Sequence, residues 1–122
     1  MRLSLSLLVL ALSGCVAMAP NAEELNKADY GKEPDPAFYR PFIEKALKAD
    51  LFDPFSAVVE IGEKHEKGWC RIQEPMFQVR FIYGWRVCAR VNAKNRFGGY
   101  VGWHGYSFFF RGTECVATTT EY

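Results

Sequence analysis

The apolar and polar residues of this chain form three successive patterns. Residues 3–12 are all apolar or serine and carry no charge. Residues 42–51 repeat apolar side chains at helical spacing, with charged residues between them. From residue 77 onwards, apolar residues alternate with polar ones, which is typical of a strand with one buried face. The chain therefore predicts a leading apolar segment, then a helix, then a sheet.

One helix is predicted between Asp35 and Asp53. Asp35 is a favourable N-cap, and Pro36 suits the first helical position because that position needs no amide hydrogen. Pro41 conflicts with a regular helix, so the helix is either kinked there or begins near that residue. Pro54 ends the helix, because proline disfavours helical geometry in the residue before it.

Strands are predicted after the helix. A short strand covers residues 57–61, a charged loop covers residues 62–68, and a long strand begins at Phe77. A hairpin turn at residues 111–113 joins the last two strands. These elements predict a single α+β domain over residues 35–122, with one N-terminal helix packed on a twisted antiparallel sheet of about four strands.

The first residues resemble a bacterial lipoprotein signal. An apolar run this short cannot span a bilayer, which takes about 20 residues, but it fits the core of a secretory signal. Leu12-Ser13-Gly14-Cys15 follows directly and resembles the lipobox of bacterial lipoproteins. The resemblance implies that the signal peptide, residues 1–14, is removed by cleavage between Gly14 and Cys15. It also implies a covalent diacylglycerol on the Cys15 sulfur and an N-acyl lipid, such as palmitate, on its amine.

A position at the cell envelope follows from this resemblance. Two or three acyl chains meet the requirement for stable membrane anchoring. Val16, rather than Asp, follows the lipidated cysteine, which implies sorting to the outer membrane with the domain facing the periplasm. Residues 15–34 are polar and acidic, so they are expected to hold the lipidated cysteine and a flexible tether.

A second resemblance covers about half of the mature chain. Gly84-Trp85, Val87-Cys88, Val91-Asn92-Ala93-Lys94-Asn95 and Phe97-Gly98-Gly99-Tyr100 are similar to a motif of small, mostly uncharacterised envelope lipoproteins. Asp53-Pro54 with Ser56-Ala57 resembles the segment after their helix, although Phe55 stands where a polar residue is more usual. The resemblance implies the same fold and carries no established activity.

Three cysteines remain besides Cys15. In an oxidising compartment, Cys70, Cys88 and Cys115 allow one disulfide and one free thiol, in three possible pairings. Cys70 and Cys115 both flank loops, so these two are the candidate pair. The alternatives are three separate thiols or a disulfide between chains. The sequence contains no Cys-x-x-Cys, which argues against a redox enzyme.

Catalytic motifs are lacking in the sequence. It contains no His/Cys cluster at zinc-ligand spacing, no Gly-x-Ser-x-Gly and no Ser-His-Asp order. His65 lies in a charged run and His104 in a glycine-rich segment, and both are expected to be loop residues. We therefore expect no enzyme activity, no metal, and no cofactor besides the lipid on Cys15.

The segment from Phe97 to Tyr106 is the centre of a candidate binding surface. Aromatic residues alternate with glycines there, which combines large rigid contact areas with an adaptable backbone. Nearby bases add positive charge, so the surface suits an envelope protein or an anionic glycan. The alternative is that the rings cover the core. The candidate residues are Arg86, Arg90, Lys94, Arg96, Phe97, Tyr100 and Trp103.

The charge distribution sharpens the expected function. Residues 16–66 carry six bases and eleven acids, whereas residues 67–122 carry eight bases and three acids. Residues 16–122 thus have a net charge of zero, and the whole sequence has +1, so there is no electrostatic case for nucleic acid. The basic half fits an anionic partner, or the difference simply follows the division between helix and sheet. The expected function is a non-enzymatic, lipid-anchored binding or assembly module; the alternatives are a periplasmic inhibitor of a lytic enzyme and an exclusion or immunity lipoprotein.

Overall fold

Two helices and one antiparallel sheet form the described part of the chain. The computed structural model describes residues 18–121, so the predicted signal peptide and Cys15 lie outside the described residues. The α+β class is confirmed, although the described residues form two helices rather than one and five strands rather than about four. The helices are α1 (Ala22–Lys27) and α2 (Pro36–Lys48), and the strands are β1 (Val58–Ile61), β2 (Glu66–Gln73), β3 (Val79–Lys94), β4 (Tyr100–Arg111) and β5 (Glu114–Glu121). Neither α1 nor α2 is long and apolar enough to cross a bilayer.

The predicted helix is α2, and it begins at Pro36 rather than near Pro41. The Asp35 side chain accepts a hydrogen bond from the Ala37 amide at 2.9 Å, which confirms Asp35 as the N-cap. Pro41 lies inside the helix and is exposed, where it lines a groove between α2 and the segment that forms β1. The opposite side buries Tyr39 and two aliphatic residues spaced four apart along the helix.

β3 is the central strand of the sheet. On one edge, its second half pairs with β1 and its first half pairs with β2, so β1 and β2 lie end to end. On the other edge, β4 pairs with β3 from Trp85 onwards, and β5 continues the sheet beyond β4. Residues 79–84 therefore pair with β2 alone. The β2–β3 hairpin projects from the sheet as a two-stranded ribbon.

β2 is the strand that the sequence does not predict. It overlaps the expected charged loop, and its residues, Glu-Lys-Gly-Trp-Cys-Arg-Ile-Gln, show no clean alternation of apolar and polar side chains. Pairing with β3 organises it, with Gly68 opposite Gly84. A Cβ atom at Gly84 would lie 3.0 Å from the Phe110 carbonyl oxygen, so glycine is needed where β3 and β4 approach this closely. The strand thus depends on contacts that are remote in sequence.

The core lies between α2 and one face of the β3–β4 pair. Phe110 is 0% exposed, and its ring centroid lies 6.4 Å from that of Phe38, 5.7 Å from that of Tyr39 and 5.6 Å from that of Phe42. Aromatic rings bury large areas, so they supply much of the core of so small a domain. The buried cluster consists of Tyr39, Ile43, Leu47, Val87, Ala89, Val91, Phe108 and Phe110.

Part of the segment expected to be a flexible tether packs against the sheet. Residues 28–34, which we call the N-terminal strap, follow α1 and end at the buried Pro34. The Gly31 carbonyl accepts a hydrogen bond from the Trp85 indole at 3.1 Å, and the Lys32 carbonyl accepts one from the Gly112 amide at 2.7 Å. The contacts of the domain therefore extend N-terminal to residue 35, the expected start. They were missed because the partners of the strap lie more than twenty residues away in the chain.

We predict that Phe110→Ala lowers the free energy of unfolding by about 3–5 kcal/mol, because it removes a buried ring and leaves a cavity under α2. Phe97→Ala is the control: its ring is 96% exposed. Its effect should stay within about 0.5 kcal/mol. Urea denaturation followed by circular dichroism measures both variants. Similar losses in the two variants would contradict the assigned core.

Candidate binding surface

Aromatic and basic side chains cluster at the tip of the β3–β4 hairpin, beside the segment that follows α2. The Tyr100 hydroxyl donates a hydrogen bond to the Ser56 carbonyl at 3.1 Å, which joins the hairpin to that segment. The Arg96 guanidinium lies 5.9 Å from the centroid of the Phe52 ring. We define the hairpin-tip surface as Phe52, Phe55, Arg90, Lys94, Arg96, Phe97, Tyr100 and Trp103.

The rings of this surface do not cover the core. Phe55 is 98% exposed and Phe97 is 96% exposed. Phe52, Tyr100 and Trp103 are exposed to a smaller extent. Single exposed apolar residues are common on protein surfaces, but a contiguous exposed group marks an interaction site. The alternative in which these rings fold back over the core is therefore wrong for Phe97 and Trp103. Phe52 and Phe55 were missed as candidates because their place beside the hairpin depends on where α2 ends.

Cations lie against three of the rings. The Arg90 guanidinium is 4.2 Å from the centroid of Trp103, and the Lys94 ammonium is 5.3 Å from that of Tyr100. Such cation–π contacts orient the base while leaving its charge able to attract an anion. Arg90 also forms an ion pair with Glu60 at 2.6 Å. Among the described residues, Lys94 and Arg96 form no ion pair, so they supply the available positive charge.

Local hydrogen bonds hold the hairpin tip in one conformation. The Asn95 side-chain oxygen accepts from the Phe97 amide at 2.9 Å and from the Gly99 amide at 3.2 Å. Gly98 adopts φ 79°, which glycine tolerates without a steric penalty, and its amide donates to the Asn95 carbonyl. A tip ordered before binding loses less conformational entropy when a partner docks. The turn therefore holds Phe97 in one position before a partner binds.

A second turn presents Phe55. The Asp53 side chain accepts a hydrogen bond from the Ser56 amide at 3.3 Å, and the Ser56 hydroxyl donates to the Asp53 carbonyl at 3.4 Å. Hydrogen bonding by the Ser56 side chain and backbone lowers the pKa of Asp53. The carboxylate is thus kept ionised and holds the turn. Phe55, the residue that departs from the resembled motif, stands at the exposed side of this turn.

Arg86 does not belong to the hairpin-tip surface. It lies on the sheet face opposite α2, where its Nε donates to the Ser107 hydroxyl at 2.9 Å and its guanidinium pairs with Glu121. Arg86 and Lys94, which were predicted to share one surface, are separated by eight residues of β3, or about 26 Å at 3.3 Å per residue. The Glu121 pair also neutralises the charge of Arg86.

Arg86, Ser107 and Glu121 form a polar network beside a groove. Ser107 is 1% exposed, and its hydroxyl donates to the Glu121 carboxylate while accepting from Arg86. Hydrogen bonds from Ser107 and from Arg86 lower the pKa of Glu121. The groove has a volume of about 460 Å³ and runs between β2 and β5, with Cys70 and Thr119 in its lining. The network satisfies polar groups on a face that no helix covers.

The candidate disulfide between Cys70 and Cys115 is not formed in this structure, where both are free thiols. Cys70 lines the groove on the helix-free face, whereas Cys115 packs against the core under α2. Because the two cysteines lie on opposite faces of the sheet, their sulfur atoms are far apart. Their positions next to loops in the sequence do not show which face each one occupies. Burial raises the pKa of the Cys70 thiol. Cys88 is a free thiol as well, exposed on the helix-free face.

His65 is more enclosed than the expected loop residue. Its Nδ1 is 3.0 Å from the Tyr39 hydroxyl, and its Nε2 is 2.6 Å from the Glu33 carboxylate. The ring also packs edge-on against Trp85. Burial raises the pKa of the Tyr39 hydroxyl. His65 therefore links the N-terminal strap to α2, and nothing in its charged neighbourhood in the sequence signals this role. His104 lies in β4 and is exposed.

Within residues 18–121, no group of three or more His, Cys, Asp or Glu side chains is placed to hold a metal ion. The hairpin-tip surface consists instead of exposed rings and cations. Such an arrangement can bind a partner through stacking, apolar contact and charge attraction.

We predict that Glu121→Gln weakens the dependence of stability on acid pH. The pKa of Glu121 lies below its ordinary value of 4.5, so its stabilising effect is complete above that value and is lost as the pH falls through the folded-state pKa. Thermal unfolding should therefore show a smaller loss between about pH 5 and pH 3 in the variant.

The control for this measurement is Glu114→Gln at the other end of β5. Glu114 forms no ion pair with another described residue. Its replacement should therefore leave the acid response close to that of the unmodified protein. If Glu121→Gln loses as much thermal stability on acidification as the unmodified protein, Glu121 does not contribute to the pH dependence of stability.

Comparisons of the chain with protein-family models, with curated proteins and with solved structures found no match. The function is therefore argued from the residues of the chain and their geometry.

Proposed function

We propose that the protein is a non-enzymatic bacterial envelope lipoprotein, anchored in the outer membrane through acyl chains on Cys15, whose periplasmic domain binds a partner through the hairpin-tip surface. The lipobox-like Leu12-Ser13-Gly14-Cys15 supports the anchor. The observation that carries the binding role is the group of exposed rings with cations stacked against them. No interaction within the described residues buries Phe55 or Phe97.

The position of the N-terminal strap supports this arrangement. The strap contacts Trp85 and Gly112, at the end of the β3–β4 pair opposite the hairpin tip. Trp85 and Lys94 are nine residues apart on β3, which corresponds to about 30 Å at 3.3 Å per residue. A chain that enters the domain at the strap leaves the hairpin-tip surface free to meet a partner.

The chemistry of the surface defines the partner class. Lys94 and Arg96 favour an anionic group, and the exposed faces of Phe97 and Trp103 favour a flat apolar or sugar surface. An envelope protein with a carboxylate-bearing patch or an anionic glycan offers both features. Because the charges are exposed, we expect salt to weaken the interaction.

We predict that Cys15→Ser abolishes lipidation. The serine hydroxyl does not replace the thiol nucleophile, so the variant should lack the diacylglycerol mass and should leave the membrane fraction. Intact-mass spectrometry and membrane fractionation measure both effects. Cys88→Ser is the matched control and should retain the lipid, since Cys88 lies on the sheet face of the domain. A Cys15→Ser protein that is still lipidated would overturn the anchor.

We predict that the double variant Arg96→Ala/Phe97→Ala captures its partner at least about tenfold more weakly, because aromatic and arginine side chains dominate binding energy at interfaces. For a protein partner, the assay is cross-linking of the lipidated protein in isolated envelopes, followed by mass spectrometry. For a glycan partner, the assay is binding of the lipidated protein to purified anionic cell-wall glycan.

The control is Leu25→Ala/Lys27→Ala, which removes one exposed apolar side chain and one base from α1, away from the hairpin tip. This control should bind like the unmodified protein. Equal capture by Arg96→Ala/Phe97→Ala and the unmodified protein would reject the hairpin-tip surface as the binding site.

A further inference from the structure

A second exposed apolar site lies at the end of the molecule opposite the hairpin tip. The β2–β3 ribbon turns at residues 74–78, and β4 does not reach the part of β3 that precedes Tyr83. Val79 and Tyr83 are four residues apart, so the ribbon extends about 13 Å beyond Tyr83 at 3.3 Å per residue before it turns. Met76 is 88% exposed and Phe77 is 90% exposed at this turn. Two large apolar side chains thus occupy the outermost point of a projecting ribbon.

The backbone of this turn holds those side chains outwards. Met76 has φ 64° and Phe77 has φ 61°, a left-handed conformation that is unfavourable for residues other than glycine. The turn is nevertheless closed, because the Glu74 amide donates to the Gln78 carbonyl at 2.8 Å and Arg80 pairs with Glu74 at 2.8 Å. An ordered turn that keeps two consecutive left-handed residues is the kind of strained segment found at functional sites.

The chain enters the domain at the base of the same ribbon. Tyr30 of the N-terminal strap packs edge-on against Tyr83 at 5.7 Å, and the Lys67 ammonium lies 5.5 Å from the Tyr30 ring centroid. Asp29 of the strap forms an ion pair with Arg111 at 3.3 Å. Hydrogen bonding from the Gly31 amide and the charge of Arg111 lower the pKa of Asp29, which keeps the pair charged. The strap is therefore fixed to the end of the sheet from which the ribbon projects.

We propose that Met76 and Phe77 insert into the interface of the bilayer that holds the lipid on Cys15. This inference rests on the proposed function, since Cys15 must carry the anchor. Cys15 precedes Asp29 by fourteen residues, of which six form α1. Such a segment reaches about 36 Å at most, counting 3.4 Å per extended residue and 1.5 Å per helical residue. The anchor thus keeps the base of the ribbon close enough for its turn to meet the lipid.

The chemistry of the turn fits a lipid surface. Methionine and phenylalanine need no hydrogen-bond partner in an apolar environment. The two charged residues that flank the turn, Glu74 and Arg80, neutralise each other. The contact should therefore depend little on lipid charge, unlike the hairpin-tip surface. Because the acyl anchor already holds the protein at the bilayer, insertion of two side chains is an intramolecular event that needs only weak affinity. The insertion would direct the hairpin-tip surface away from the membrane.

The test places a tryptophan at the turn of the full, lipidated chain. Phe77→Trp and, as a second probe, Met76→Trp are reconstituted into phosphatidylcholine vesicles with or without bromine on the acyl chains, which quenches tryptophan fluorescence on contact. Phe97→Trp is the matched control, because Phe97 is 96% exposed at the opposite end. The native Trp69, Trp85 and Trp103 give the same background in every variant. We expect the added fluorescence at positions 76 and 77 to be lost in brominated vesicles, and that at position 97 to be retained.

Each outcome of this experiment decides the inference. Absence of quenching at both 76 and 77, or quenching at 97 instead, overturns the insertion. Flotation of the vesicles and the intact mass report the anchor independently. A chain that carries diacylglycerol and floats, yet shows no quenching at the turn, refutes the insertion alone. If the intact mass shows no lipid on the chain, the proposed function is overturned. The inference that this turn contacts the bilayer is then overturned as well, because it rests on the anchor.

Discussion

The packing of α2 onto the β3–β4 pair is the interaction on which the other features depend. Phe110 is fully buried against three aromatic rings of the helix, so this contact holds the first half of α2 against the sheet. The end of α2 in turn places the segment with Phe52 and Phe55 beside the hairpin tip. At the other end, the hydroxyl of the buried Tyr39 lies against His65, which contacts the N-terminal strap through Glu33. A single small core therefore positions both ends of the molecule.

The two ends of the sheet differ in chemistry because different constraints act on them. At the hairpin tip, Lys94 and Arg96 lie against aromatic rings and form no ion pair with a described residue, which suits an anionic partner. At the ribbon turn, two apolar side chains stand beside a neutralised ion pair, which suits a lipid surface. Between them, on the face that no helix covers, Arg86, Ser107 and Glu121 satisfy one another's hydrogen bonds beside the groove.

Local patterns account for the features that the sequence predicts well. The cap at Asp35 and the spacing of apolar residues specify α2, and alternation of apolar and polar residues specifies β3. The aromatic and basic residues near Phe97 also follow from adjacency along the chain. β2 escaped prediction because its residues lack alternation and pair through contacts with β3. His65 and the strap were missed because their partners lie more than twenty residues away.

The sequence by itself determined the α+β class, the positions of α2 and the long strand, and the lipobox-like segment before the domain. These depend on residues that are close in the chain, where periodicity and motif order are directly visible. Only the tertiary structure decided that Arg86 lies apart from the hairpin tip, that Phe52 and Phe55 lie beside it, and that Cys70 and Cys115 lie on opposite faces. Each of these outcomes depends on strand register and on which sheet face the helix covers. Both depend on pairing and packing between residues that are far apart in the chain.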